Sequence, residues 1–194
     1  MRFMRKNKLG FNLVELLMVT SMLGIVSLAI FSTFNNGMKI WQKINKSLVE
    51  EDLGFFFDRL AQDLNNSFKS AMIPFTGNSD SLGVPTQVYS GDLKTTSMGL
   101  AAYFYDQQSG SVSRQPRDFS QLYSHHEGNA VVLLKNIEFL KFEYYYYDAQ
   151  RQEYLWTDEW SQSSLPLAVR VELNLNESGQ TNKFIRTFNV PISG

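Results

Sequence analysis

From Phe11 to Phe34 the chain runs apolar with a single charge, Glu15. About 20 apolar residues are enough for a helix to cross a bilayer. Only a helix satisfies the backbone polar groups of a lone span there. A carboxylate inside such a segment costs about 2.5–3.5 kcal/mol on insertion scales, which points to a functional site with a partner. Arg2, Arg5, Lys6 and Lys8 precede the run. Basic residues ahead of an apolar span favour a cytoplasmic N-terminus and an exported C-terminal part. A secretory signal peptide has a shorter apolar stretch followed by a small-residue cleavage site, and neither is present. A plain signal anchor would leave Glu15 as a tolerated charge near the membrane edge.

The chain has 194 residues and a net charge of −1, with no cysteine and 14% aromatic residues. The four basic residues before Gly10 carry +4, so the remainder totals −5. That balance argues against nucleic acid as a partner. Without cysteine the exported part has no disulfide, thiol nucleophile or cysteine zinc site, and its core alone must hold it together.

Gly10-Phe11-Asn12-Leu13-Val14-Glu15-Leu16-Leu17 resembles the class III signal of type IV pilins and pseudopilins. The resemblance implies that a prepilin peptidase cuts after Gly10 on the cytoplasmic side and that Phe11 is then N-methylated. It also implies that Glu15 aligns subunits during assembly. Asn12 stands where Thr is usual in that family. The physics runs the same way. A new amine on Phe11 would lie four residues from Glu15, and opposite charges attract strongly in low dielectric. A carboxylate that reaches a neighbouring subunit's amine relieves two desolvation penalties of several kcal/mol each.

Helical spacing continues beyond Phe34. Trp41, Ile44 and Leu48 form one stripe, and Leu53, Phe56, Phe57, Leu60, Leu64 and Phe68 extend it. Lys43, Lys46, Glu50, Glu51, Asp58 and Asp63 are assigned to the other faces. One helix from about residue 11 to residue 70 is expected, apolar all round early and amphipathic late. Its late stripe is expected to pack on a sheet. Gly24, Gly37 and Gly54 each weaken it by about 1 kcal/mol relative to Ala, and Asn35-Asn36-Gly37 is the expected bend.

The segment from Met72 to Gly83 reads as loop, Gln87–Ser90 as a short strand, and Gly99–Tyr105 as a buried strand. Asp106–Asn129 reads as a long polar loop. Ala130–Asp148 reads as one strand whose pattern slips near Phe139, as a β-bulge would cause. Val169, Val171, Leu173 and Leu175 alternate with polar residues, and Asn176-Glu177-Ser178-Gly179 turns the chain into Phe184–Val190. Hairpins imply antiparallel pairing. The expected class is α+β, a long helix laid on antiparallel sheet, which is also the pilin-like fold that the resemblance implies. Its divisions are a leader (1–10), a transmembrane half-helix (11–34), a periplasmic half-helix (35–70) and a periplasmic β domain (71–194).

The order Phe142-Glu143-Tyr144-Tyr145-Tyr146-Tyr147-Asp148, Trp156-Thr157-Asp158-Glu159-Trp160, Leu165-Pro166-Leu167-Ala168-Val169 is similar to the minor pseudopilin J family of type II secretion systems. Phe56–Leu64 resembles that family's late-helix segment. The resemblance implies a non-catalytic inner-membrane subunit, with its C-terminal domain in the periplasm, at the tip of a pseudopilus. Its partners would be the minor pseudopilins I, K and H, the major pseudopilin G, the peptidase and the inner-membrane assembly platform. The alternative is a minor pilin that primes a type IV pilus, and a membrane-anchored periplasmic enzyme is a third reading. Trp41, Ile44, Leu48, Trp156 and Trp160 are candidate partner contacts. Of the tyrosines at 144–147, one alternating pair is expected in the core and the other toward a partner. His125 and His126, with Glu127, are adjacent on a polar stretch without a clear third ligand, so no metal or cofactor is expected. No nucleophile–base set or phosphate-binding loop is recognisable.

Overall fold

The computed structural model describes residues 12–124, 126, 128–177 and 180–191, without the side chains of 42–50, 177 and 180. The chain divides into two units, Met1–Leu48 and Val49–Gly194. Helix α1 runs Leu13–Asn65. After it come β1 (Thr76–Gly77), β2 (Ser81–Ser90), β3 (Thr95–Asp106), β4 (Ser111–Asp118), α2 (Phe119–Tyr123), β5 (Val131–Leu134), β6 (Ile137–Asp148), β7 (Glu153–Thr157), β8 (Ala168–Glu177) and β9 (Gln180–Asn189).

In the first unit, every described side chain from Asn12 to Trp41 is exposed. Leu13–Trp41, 29 residues, is the one helical stretch among the described residues that is long and apolar enough to cross a membrane. At about 1.5 Å per residue it rises about 44 Å, against about 30 Å of hydrocarbon. Three of its hydroxyls are answered within the helix. Thr20 Oγ1 donates to the Leu16 carbonyl at 3.0 Å, Ser21 Oγ to Leu17 at 2.6 Å and Thr33 Oγ1 to Ala29 at 2.9 Å. Asn35-Asn36-Gly37, the expected bend, lies in unbroken helix.

In the second unit the late stripe of α1 is buried as its spacing predicts. Leu53, Phe56, Phe57, Leu60 and Leu64 join one core with both sheets. Phe56 leans edge-on against Tyr103 of β3, while Phe57 meets Phe188 of β9. The helix ends at Asn65, short of residue 70. Asn65, Asn66 and Ser67 favour turns over helix interiors, and Phe68 leaves the helix to donate its N–H to the Pro85 carbonyl.

The strands form two antiparallel sheets, β1-β2-β3-β4-β5 and β7-β6-β8-β9. Three expectations change here. The loop from Met72 to Gly83 contains β1 and the start of β2, which begins at Ser81 rather than Gln87. The long polar loop 106–129 contains β4 and α2. The single strand 130–148 is two strands in different sheets, divided at Asn136, whose φ of 60° turns the chain. The bulge does occur. Ile137 pairs with Leu175 and Phe139 with Asn174, leaving Glu138 extra. The Glu138 carboxylate accepts from Asn176 Nδ2 at 2.5 Å and Thr181 Oγ1 at 2.9 Å, tying the bulge to β8 and β9. The expected β8–β9 hairpin forms, with Val171 opposite Arg186 and Leu173 opposite Phe184. The turn residues Ser178 and Gly179 lie outside the described residues.

The sheets are sewn together along one seam. Gly77 and Trp160 exchange two backbone hydrogen bonds, 3.0 and 2.8 Å. Tyr144 Oη donates to the carbonyls of Asn78 and Ser81 at 3.0 and 3.1 Å.

Candidate functional site

Asp63 stands on the buried side of α1, not on an outer face, and is 2% exposed. Its carboxylate meets β3 and β4, the third and fourth strands of the first sheet. Tyr103 Oη donates to Oδ2 at 2.5 Å, Arg114 Nε donates to Oδ2 at 2.7 Å, and Arg114 Nη2 donates to Oδ1 at 3.0 Å. Tyr103 and Arg114 are directly paired across β3 and β4, so the sheet register sets both donors side by side. Burial, then the charge and hydrogen bond of Asp63, push the Tyr103 hydroxyl far above its ordinary value of 10. Burial opposes the charge on Arg114, but the hydrogen bond and charge of Asp63 more than offset it and raise its pKa. Both carboxylate oxygens are engaged, Oδ2 twice and Oδ1 once, an arrangement that positions helix against sheet. The sequence held one signal for it: an acid flanked by Leu60 and Leu64 on the stripe.

The outer face of the second sheet carries a band of rings and ions. Tyr145 stacks on Tyr154 with 19° between planes and lies 4.8 Å from the Trp156 ring. Tyr147, about half exposed, packs on Tyr154. The Arg170 guanidinium sits 4.2 Å over Trp156 and bonds Glu143, which Lys141 also reaches. Burial raises the Glu143 pKa, but the hydrogen bonds and charges of Arg170 and Lys141 outweigh it and hold the carboxyl below its usual range. Tyr144 and Tyr146 turn the other way, into the core, so the alternation expected of these four tyrosines is present.

The other candidates divide. Glu15 lies in the first turn of α1 with exposed surroundings, where the positive helix end favours a carboxylate. Trp41 is exposed. Trp156 is half-buried on the outer sheet face. Trp160 is a correction: at 2% exposure it is core, packed on Tyr144 and Tyr146, with its Nε1 donating to the Ser164 carbonyl at 2.9 Å. A side chain so enclosed offers no partner contact. Gly10 and Phe11, the cleavage and methylation positions, lie outside the described residues, as do His125, Glu127 and the side chains of Ile44 and Leu48. His126 is exposed, with Nδ1 2.8 Å from Ser124 Oγ.

Compared with known proteins, the chain matches no family model, and no curated protein matches its sequence.

Two outcomes are expected of the buried group. Asp63→Asn strands the Arg114 charge and is expected to destabilise the protein by about 3–5 kcal/mol in urea unfolding in detergent micelles. The triple replacement Asp63→Leu, Arg114→Met, Tyr103→Phe should lose less than the single change; an equal or larger loss would refute this account of the pair. The second outcome concerns alkali. The unfolded chain releases the Tyr103 proton near pH 10, whereas the folded chain keeps it well above that. Stability is therefore fully present below pH 10 and falls as pH rises beyond it. Tyr103→Phe should flatten that fall by about 1.4 kcal/mol per pH unit, measured as unfolding free energy against pH.

Proposed function

We propose that this chain is a minor pseudopilin of the type II protein secretion system. In this reading it is a structural, non-catalytic subunit of the pseudopilus tip complex, which primes the filament that exports folded proteins across the outer membrane. The observation that carries the reading is Glu15, the sole ionisable residue from Leu13 to Met38 on a membrane-length helix with every described side chain exposed. Alone in a bilayer, such a carboxylate is costly. A neighbouring subunit's N-terminal amine neutralises it and turns the cost into an assembly force. The folded unit from Val49 onward, whose stretch of α1 is pinned on antiparallel sheets, is consistent with a pilin-like fold, as the sequence resemblance implies.

On this reading the first ten residues are a leader removed by prepilin peptidase after Gly10, and Phe11 becomes the methylated N-terminus. The helix anchors the subunit in the inner membrane, with the β domain in the periplasm. The minor pseudopilins I, K and H and the major pseudopilin G are its partners, assembled on the inner-membrane platform. The aromatic band around Tyr145, Tyr147, Tyr154 and Trp156 supplies the kind of side chain that protein interfaces favour.

Gly10→Val is expected to leave an uncut precursor in the inner membrane, visible by its higher mass on immunoblots; normal processing would remove the leader assignment. Glu15→Ala should be cut normally, yet recovery of the other minor pseudopilins in pull-downs should drop about tenfold, the equivalent of about 1.4 kcal/mol. Recovery at the level of the unaltered protein would count against the assembly role.

A further inference from the structure

The face of the first sheet opposite α1 carries a cavity of about 420 Å³. Gly83 and Ala102 face one another across β2 and β3, and their lack of bulk leaves a hollow between Leu100 and Phe104. Arg117, the direct neighbour of Leu100 across β3 and β4, stands at one side, and Glu159 also lines the space. The cations Arg114, Lys141, Arg170 and Lys183 each meet a carboxylate. Arg117 meets none among the described residues, and its Nε is buried without an acceptor. Its stem is held, because Gly128 packs so closely that a Cβ there would sit 3.0 Å from Arg117 Cγ. Gln115 Nε2 fixes Gly128 in turn through its carbonyl at 2.7 Å. A guanidinium with a held stem and an unpaired Nε therefore borders a hollow, part apolar and part polar, of the size that ligand sites take.

We propose that this cavity docks an extended segment of a partner protein that presents a glutamate or aspartate beside an apolar side chain. The carboxylate would meet the two terminal Nη groups of Arg117, which match a planar carboxylate in two-point contact while the enclosed Nε keeps the fork in place. The apolar side chain would fill the hollow over Ala102. Glu159 decides between a peptide and a free anion. Its negative charge repels a simple carboxylate or phosphate, but it accepts readily from the backbone N–H groups of a peptide. The site lies wholly within the second unit and stands independently of Glu15 and of filament assembly.

The test uses the full chain in detergent micelles with 15N-labelled arginine. It is titrated with the capped peptide acetyl-Ala-Leu-Glu-Leu-Ala-amide and with the same peptide carrying Gln for Glu. The acidic peptide should move the Arg117 Nε–H resonance and bind about tenfold more tightly than the Gln peptide. Arg117→Gln should abolish that preference, and Arg117→Lys, which keeps the charge without the fork, should retain part of it. Equal binding of the two peptides, an unaltered preference in Arg117→Gln, or no saturation by about 10 mM would overturn the proposal. So would sodium acetate moving the resonance as far as the acidic peptide at equal concentration. If Arg117→Gln does not fold, the two peptides on the unaltered protein decide the matter.

Discussion

A single buried carboxylate fixes how the second unit is put together. The apolar residues around Asp63, Leu60 and Leu64 among them, would pack acceptably in more than one rotation, because hydrophobic contact is non-directional. Asp63 has one acceptable place, where the Tyr103 hydroxyl and the Arg114 fork converge. Buried ion pairs add little net stability compared with apolar replacements, and losing one member is expensive. The group's effect is thus mainly to set position. It couples the rotation of α1 to the pairing of β3 with β4, and Phe56 and Phe57 then fall against Tyr103 and Phe188 respectively.

The two faces of the second sheet divide the work. Its inner face supplies Phe142, Tyr144, Val169, Val171 and Leu173 to the core. Its outer face holds the rings of Tyr145, Tyr154 and Trp156 in place through Arg170 and Glu143, so aromatic surface is presented by side chains already ordered by their neighbours. Ordering before contact lowers the entropy lost when a partner arrives. Among the described residues of the first unit the apolar side chains from Leu13 to Trp41 are exposed, and Thr20, Ser21 and Thr33 donate to carbonyls of their own helix.

Legibility in the sequence tracks periodicity. The α1 stripe, the β8–β9 hairpin and the bulge at Glu138 were visible because apolar residues recur there with period 3.6 or 2. β4 was hidden because its inward row is Val112, Arg114, Pro116 and Asp118, half of it charged, a row that becomes an interior face only beside Asp63 and α2. The first part of β2 was masked by Gly83, which read as the end of a loop. Pro85 is tolerated because β1 pairs β2 only at Leu82 and Gly83, so its missing N–H falls on an open edge. Pro116 escapes in the same way, since β5 reaches only Val112 to Arg114. Among the candidate residues, Glu15 was legible from charge alone. Asp63 was misassigned because one-dimensional spacing separates polar from apolar positions but does not see a donor arriving from a distant strand. Arg117 went unnoticed for the same reason.

Gly77 has a consequence for alignment between the two sheets. A Cβ on this residue would sit 2.0 Å from Tyr144 Oη, so the tyrosine occupies the space that any side chain would need. The neighbours Thr76 and Asn78 both carry side chains. A slip that brought any side chain into this space would jam it against the ring. The glycine therefore acts as a keyway and the tyrosine as its key, admitting one sliding position and making slippage a steric collision rather than a gradual loss of contacts.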